Sequence, residues 1–223
     1  MIGRRKLKQE KTTVQASGRW PAGEDPIKRK KILDGADQVF MRLGFDAASM
    51  DDVRRQAGVS KGTLYVYFDN KEELFSATIE RQRATFIATM RMTLAEHGDL
   101  DGGLYDFGVT FVRHITDETV ITALRTVLGV RDRMPSLCTR IFKGPENLRS
   151  VLQDFLLRHS KEGDLAIDDL ELAAAQYLDL CSGSFFKLRL FGTMSAPPED
   201  VEIERVIRGA VKTFLAAYGS KPT

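Results

Sequence analysis

From Ile32 onward, apolar residues in this chain return at steps of three and four, the spacing that gives a helix one apolar stripe. Ile32, Leu33, Ala36, Val39, Phe40 and Leu43 form the first stripe, and Ile203, Val206, Ile207, Ala210, Val211, Phe214 and Tyr218 form the last. No β-alternation of useful length and no internal repeat appears between them. A chain patterned in this way buries its stripes by packing helix on helix, so the predicted fold class is all-α.

Local signals divide the pattern. Asp25-Pro26 reads as a helix start, with Asp25 as N-cap and proline in the first turn. Gly44 ends that helix, because glycine adopts the left-handed cap cheaply. Ser49, with Asp52 three residues on, has the form of a capping box and opens a short second helix whose inner face holds Val53 and Ala57. Gly58 closes it, and Ser60 can cap a third helix through about Phe68. Asp69-Asn70 interrupts before a long helix from Lys71 to about Glu96. Further helices are predicted over 102–115, over 118–133 up to Met134-Pro135, from Ser136 to about Lys161 with a possible break at Lys143-Gly144-Pro145, over 168–191, and over 198–218. The 168–191 stretch is apolar nearly all round, so it should be buried on more than one side.

Charge is distributed unevenly. The formal net charge is +2, yet residues 1–31 hold ten Lys and Arg against three Asp and Glu. A basic end on a near-neutral body points to a polyanionic partner there. Residues 1–24, with Arg4, Arg5, Lys6, Lys8 and Lys11, lack periodicity and read as a flexible basic arm. That arm lacks the apolar core and cleavage site of a secretory signal, and no 18-residue uncharged apolar run predicts a membrane span. Cys138 and Cys181 form no CxxC pair, and His97, His114 and His159 lack metal-ligand spacing. The expectation is a cytoplasmic protein with no metal, no cofactor and no membrane contact.

The stretch "AGVSKGTLYVYFDNKEEL", residues 57–74, carries the chemistry. Leu64 and Phe68 are four apart and can pack inward with Val59, which leaves Lys61, Thr63 and Tyr67 to point elsewhere. Gly62 leaves the helix start uncluttered. A first turn of Ser60, Lys61, Gly62 and Thr63 offers backbone N–H groups, a positive charge and hydroxyls together, which suits a groove bordered by phosphates. A short helix, a glycine turn and this helix make a helix-turn-helix, the unit that sets its second helix in the DNA major groove. Tyr65 and Tyr67 can then set rings against bases and hydroxyls toward phosphates.

Gly58-Val59-Ser60-Lys61-Gly62 also fits G-x-S-x-G, the nucleophile elbow of α/β-hydrolases. That elbow needs a buried strand before the serine, and "DDVRRQA" is too charged for one. No GxxxxGK[ST] loop occurs. The predicted protein is therefore not an enzyme. A purely structural helical partner would leave the polar first turn and the aromatics unexplained.

Residues 32–75 resemble the DNA-binding domain of the TetR/AcrR family of transcriptional regulators. The resemblance rests on Ile32-Leu33, Phe40, Gly44-Phe45, Ser49, Ala57-Gly58-Val59-Ser60, Gly62, Leu64-Tyr65, Tyr67-Phe68, Lys71-Glu72 and Leu74. It implies DNA contacts by Lys61, Thr63, Tyr65 and Tyr67, and phosphate contacts by Ser49 and Lys71. Two positions depart from the family pattern. Arg54 replaces a small residue packed between helices, so it either reaches outward to a phosphate or holds the two short helices apart. Gly35 replaces an alanine, a modest loss of helix propensity. The C-terminal part resembles the AefR-like subgroup in "RTVLGVRDRMPSLCTRIFKGP", "GDLAIDDLELAAAQYLDLCSG" and "IERVIRGAVKTFLAAYG".

The resemblance implies a helix-turn-helix domain over 25–72 and a larger helical domain over 73–223 for effector binding and dimerisation. The implied function is a homodimeric repressor, paired through its last two helices and released from a palindromic operator by a small apolar or amphipathic effector. Phe86, Met90, Phe107, Phe111, Leu124, Phe155 and Phe185 are candidates to line the effector pocket, with core packing as the other reading of each. His114, Arg125 and Gln176 are its candidate polar contacts. A redox-sensing regulator triggered at Cys138 or Cys181 is the alternative within the same fold.

Overall fold

A computed structural model of the chain describes residues 20–137 and 147–220. The described helices are α1 Pro26–Ala47, α2 Met50–Ala57, α3 Lys61–Tyr67, α4 Lys71–Ala95, α5 Leu100–Thr116, α6 Glu118–Val130, α7 Leu148–Glu162, α8 Leu170–Ser182, α9 Phe186–Leu190 and α10 Asp200–Tyr218. Among the described residues there is no strand, and one isolated antiparallel bridge joins Leu165 to Gly219. The basic residues Arg4 to Lys11, Cys138 and the predicted break at Lys143-Gly144-Pro145 lie outside the described residues.

The caps follow the side chains. Asp25 accepts from the N–H groups of Ile27 and Lys28 at the start of α1. Ser49 and Asp52 form a reciprocal capping box on α2, and Gly58 closes that helix at φ 59°, ψ 44°. Gly44 breaks α1 at φ 74°, ψ 172°, a region essentially closed to side-chain-bearing residues, and one further turn follows it. The predicted 168–191 helix is not continuous: α8 ends at Ser182, and α9 restarts after Phe185. It is also less covered than its composition implies, because α8 buries Ala173, Ala174, Tyr177 and Cys181 but leaves Leu172 and Leu180 exposed.

Two apolar cores result. The first gathers Ile32, Leu33, Val39 and Phe40 of α1, Val53 of α2, Leu64 of α3 and Leu74 and Phe75 of α4. Val127 and Val130 from the end of α6, with Met134 and Leu137 beyond it, complete this core. The second runs through α4, α5, α7, α8 and α10, and Met90, Phe107, Leu152, Tyr177, Ile207 and Phe214 lie at its centre. Helix α4 therefore takes part in both cores.

Gly35 has a packing reason that sequence propensity hides. A Cβ there would stand 2.8 Å from the Ala57 backbone nitrogen and 2.9 Å from the Ala57 Cβ, so α1 and α2 approach as closely as they do only because Gly35 has no side chain. Gly35→Ala is expected to lower stability by about 1–3 kcal/mol, as overpacking does, despite the better helix propensity of alanine. Gly129→Ala, in α6 with nothing within 4 Å of the added Cβ, is the control and should be neutral or stabilising. Urea denaturation of the two variants checks the pair.

Candidate nucleic-acid interface

Ser60 sets the geometry of α3. Its hydroxyl accepts from the Thr63 N–H at 3.0 Å and lies 2.8 Å from the Thr63 hydroxyl, closing the first turn. Leu64 is fully buried and Phe68 nearly so, which turns the opposite face of the helix outward. Lys61, Gly62, Tyr65 and Val66 are all exposed on that outward side. The Lys61 ammonium stands 6.0 Å from the centroid of the Tyr65 ring and makes no salt bridge among the described residues. A Cβ at Gly62 would meet only the Ser60 hydroxyl, at 4.0 Å.

Other predicted residues hold the unit together. Lys71 donates to the carbonyls of Phe45 at 2.7 Å, Asp46 at 3.2 Å and Ala48 at 3.0 Å, and its ammonium lies 4.4 Å from the Phe45 ring centroid. The Tyr67 hydroxyl accepts from the Asp25 N–H at 3.1 Å and donates to the Asp25 carbonyl at 3.2 Å, tying the end of α3 to the start of α1. Ser49 is exposed, with its hydroxyl engaged in the α2 cap. That contact is the first cause holding the Asp52 carboxyl below its usual range, followed by Arg55. Arg54 pairs with Asp51 at 2.7 Å on its own helix. Val66, 52% exposed, is the residue that sequence reasoning passed over. The signal was present, since a residue two positions from a buried Leu64 lies about 200° around the helix.

Helix α1 is fixed to α4 and to the segment after α6 by charge as well as by its core. Arg81 of α4 spans Asp34 at 2.7 Å and Asp37, two carboxylates one turn apart on α1. Asp34 is held low in pKa by Lys30 first and then by Arg81, whereas burial raises Asp37 despite the same arginine. Arg133 pairs with Asp46 at 2.7 Å, and its guanidinium lies 5.6 Å from the Phe45 ring centroid.

The predicted effector residues divide. Met90, Phe107, Phe111, Phe155 and Phe185 are buried together in the second core. Phe86 packs at its edge and stacks on His114 at 3.5 Å, and burial lowers the His114 pKa. Leu124 is half-buried outside both cores. Arg125 and Gln176 are exposed. Arg125 donates to the carbonyls of Arg189 and Leu190 at the end of α9, and Gln176 accepts from the Tyr218 hydroxyl. Both have backbone or hydroxyl partners 42 to 65 residues away along the chain, which a sequence cannot locate. A crevice that was not foreseen, about 310 Å³ including its open mouth, lies where α1, α4 and α6 meet, bordered by Asp37, Phe40, Phe75, Gln82 and Thr122.

Two further groups bear on chemistry. His159 is buried, with Nδ1 2.7 Å from Asp164 and 3.3 Å from Glu162, a grouping of metal-ligand types that the sequence spacing did not announce. Its Nε2 is buried without a partner, whereas a metal-bound imidazole normally donates its second N–H. The cluster instead fastens the end of α7, where the Gly163 and Asp164 N–H groups return to the last turn, Asp164 to the His159 carbonyl. Burial pushes the Cys181 thiol up to about 12, against the pull of Tyr177. A redox trigger requires an accessible, low-pKa thiol, so Cys181 does not fit that role. The G-x-S-x-G stretch is a turn between two helices with Ser60 engaged as a cap, and no strand leads into it.

Lys71→Met should therefore cost about 1.5–3 kcal/mol of stability, as loss of hydrogen bonds from a charged donor does, whereas Lys61→Met should stay within about 0.5 kcal/mol. Denaturation midpoints compare them. For Cys181 the raised folded pKa means that its contribution is whole below about pH 8.5 and is lost as pH climbs toward 12. In a Cys138→Ser background, iodoacetamide at pH 8 should leave Cys181 unmodified until denaturant is added, as read by mass spectrometry.

Comparison with known proteins agrees with this geometry. A family profile described as bacterial regulatory proteins, tetR family, matches residues 32–78, and one described as AefR-like transcriptional repressor, C-terminal domain, matches residues 102–220. IcaR of Staphylococcus epidermidis, the negative transcriptional regulator of the biofilm operon icaADBC, is 26% identical over 140 residues, 63% of this chain and 73% of that protein. The transcriptional activator FasR of Mycolicibacterium smegmatis is 37% identical over 67 residues, 30% of this chain and 31% of that protein. The crystal structure of a TetR-family regulator from Mesorhizobium loti superposes with a TM-score of 0.80 at 26% identity, covering 86% of this chain and 97% of that one. The flavonoid-responsive regulator FrrA gives 0.66 at 27% identity, covering 88% and 99%. With a helix-turn-helix head and an AefR-like C-terminal domain, the chain belongs to the TetR family of DNA-binding transcriptional regulators.

Proposed function

We propose that the protein is a homodimeric repressor that reads a near-palindromic operator with the outward face of α3. The observation that carries this reading is that Lys61, Gly62, Tyr65 and Val66 are exposed together on one helix while the neighbouring polar groups are engaged internally. Lys61 supplies charge to phosphate or guanine, Gly62 allows close backbone approach, and Tyr65 and Val66 give apolar contact to thymine methyls. Ser49, Ser60 and Thr63 retain acceptor capacity at exposed helix starts, whereas Tyr67 ties the end of α3, and Lys71 the start of α4, to α1. The reading unit spans 25–72, and 73–223 serves pairing and effector response in the cytoplasm. Nothing in the α3 turn calls for catalysis.

Pairing uses the faces of α8 and α10 left open in the single chain. Leu172, Leu180 and Val201 are 50%, 39% and 68% exposed there, and apolar side chains of that size favour a partner surface over water. A second copy would set the two α3 helices about one DNA turn apart, roughly 34 Å, or somewhat more. Repression is favoured by the AefR-like description of the C-terminal match and by IcaR, a negative regulator. FrrA responds to flavonoids, and a small apolar or amphipathic effector is the corresponding expectation for this chain. Such a ligand acts only through its difference in affinity between the DNA-competent and misspaced dimers.

Selection of bound sequences from random DNA tests the reading and should return paired half-sites. Lys61→Ala and Tyr65→Ala should each weaken operator binding at least tenfold while light scattering still gives a mass near twice 25.0 kDa. Full operator affinity in both variants would rule out the α3 face.

A further inference from the structure

Helix α4 runs through both cores, but not evenly. Leu74 and Phe75, with Ala77 and Ile79 beside them, belong to the first core, that of the head. Phe86, Ile87, Met90 and Leu94 belong to the second, that of the body. Among the described residues, the stretch between them, Glu80 to Thr85, gives no side chain to either core. At this joint polar groups hold α4 to α1. Arg81 donates to Asp34 at 2.7 Å and to Asp37, and Gln82 donates to the other Asp37 oxygen at 3.0 Å. The Arg81 and Asp37 side chains are only 28% and 20% exposed, so salt screens this pair less than an open surface pair. The joint is also incompletely filled: Asp37 and Gln82 border the crevice of about 310 Å³, together with Thr122 and Thr126 of α6. On α4 itself, the Thr85 hydroxyl donates back to the Arg81 carbonyl at 3.0 Å, a bond of the kind that eases helix bending.

We infer that Arg81 is a positioning residue for DNA reading: its fork across Asp34 and Asp37 stiffens the joint between head and body and so fixes the half-site spacing that the paired molecule accepts. The inference rests on the homodimer reading above and deepens it by naming what sets the separation of the two α3 helices. Magnitudes show why one joint matters. Lys71 precedes Arg81 by ten residues, about 15 Å of helix. A swing of about 10° at Arg81 carries the start of α4 through roughly 2.6 Å, and two subunits together cover about 5 Å, more than the ~3.4 Å step of one base pair. Val127 and Val130 of α6 also tie head to body, but their apolar contacts are non-directional. The Arg133–Asp46 pair is exposed and correspondingly weak. A planar guanidinium bound to two carboxylates one turn apart has a fixed geometry, so it resists rotation as well as separation.

The test reads the joint directly and through DNA. In a full chain carrying Cys138→Ser, with Cys181 sealed, Glu72→Cys places a nitroxide on the exposed first turn of α4, and electron paramagnetic resonance gives the distance between the two labels of the dimer. This parent should show one narrow distance peak, and Arg81→Gln should at least double its width. On selected operators whose half-sites are moved together or apart by one base pair, the parent should lose at least tenfold in affinity and Arg81→Gln less than threefold. Asp34→Asn with Asp37→Asn should reproduce both effects, and adding Arg81→Gln to them should change nothing more, because the three side chains act as one unit. Val53→Ala weakens the core of the head away from the joint and is the control. It should lower affinity evenly at every spacing and leave the peak width unchanged. An unaltered width in Arg81→Gln, or an affinity loss equal at every spacing, overturns the inference while leaving the dimer and the α3 face intact. Absence of any distance between labels shows that the chain does not pair, and then the homodimer reading falls and takes the spacing role with it.

Discussion

The ammonium of Lys71 closes three backbone carbonyls at the end of α1 and lies over the ring of Phe45. Those carbonyls follow the Gly44 break, in a segment whose amide oxygens would otherwise lack intrahelical donors. One side chain therefore caps the C-terminal end of α1 and ties it to the first residue of α4, whose own start is capped by Asn70. Phe45 stacks with Phe40 and meets Phe75 of α4 at 5.0 Å, and the Arg133 guanidinium lies 5.6 Å from its ring centroid. The orientation of α3 depends on this joint, because α3 is suspended between α2 and the first residues of α4.

The same joint explains how a small head becomes part of a larger molecule. Seven residues of α3 bury little by themselves, and Leu64 and Phe68 are its main anchors in the first core. The head gains its remaining cover from α6, through Val127 and Val130, and from the Arg81 fork across Asp34 and Asp37. At the opposite end of α6, the fully buried Arg189 donates to the Thr116 carbonyl and pairs with Glu118. Helix α6 is thus fastened at one end to the reading head and at the other to the α9 corner that leads into α10. Packed interiors transmit displacement because they cannot compress, so a shift at the α9 corner has a stiff route through α6 to the head.

Within the site, legibility followed the range of the interaction. The Ser49–Asp52 box and the Ser60 and Asp25 caps join residues two to three positions apart, and their chemistry is written in the order of side chains. Lys71 and Tyr67 share residue types with DNA-contacting groups, yet their partners lie 23 to 26 and 42 residues away. No local pattern distinguishes a lysine aimed at a phosphate from one aimed at a distant carbonyl. Gly35 failed for the same reason: propensity registers its cost, but only the approach of Ala57 supplies its purpose. Arg125 and Gln176 looked like polar accents in an apolar lining and are surface groups engaged with α9 and Tyr218.

The sequence by itself determined the helical class, most helix starts, the helix-turn-helix and the inward direction of Leu64 and Phe68, because periodicity and capping act within a turn or two of the chain. Tertiary structure decided which polar side chains remain available on α3, where the 168–191 stretch breaks, how α6 completes the core of the head, and that Cys181 is sealed from chemistry. Those outcomes depend on what comes within a few ångströms from far along the chain. Desolvation and hydrogen-bond geometry are set by that proximity, and sequence order does not encode it.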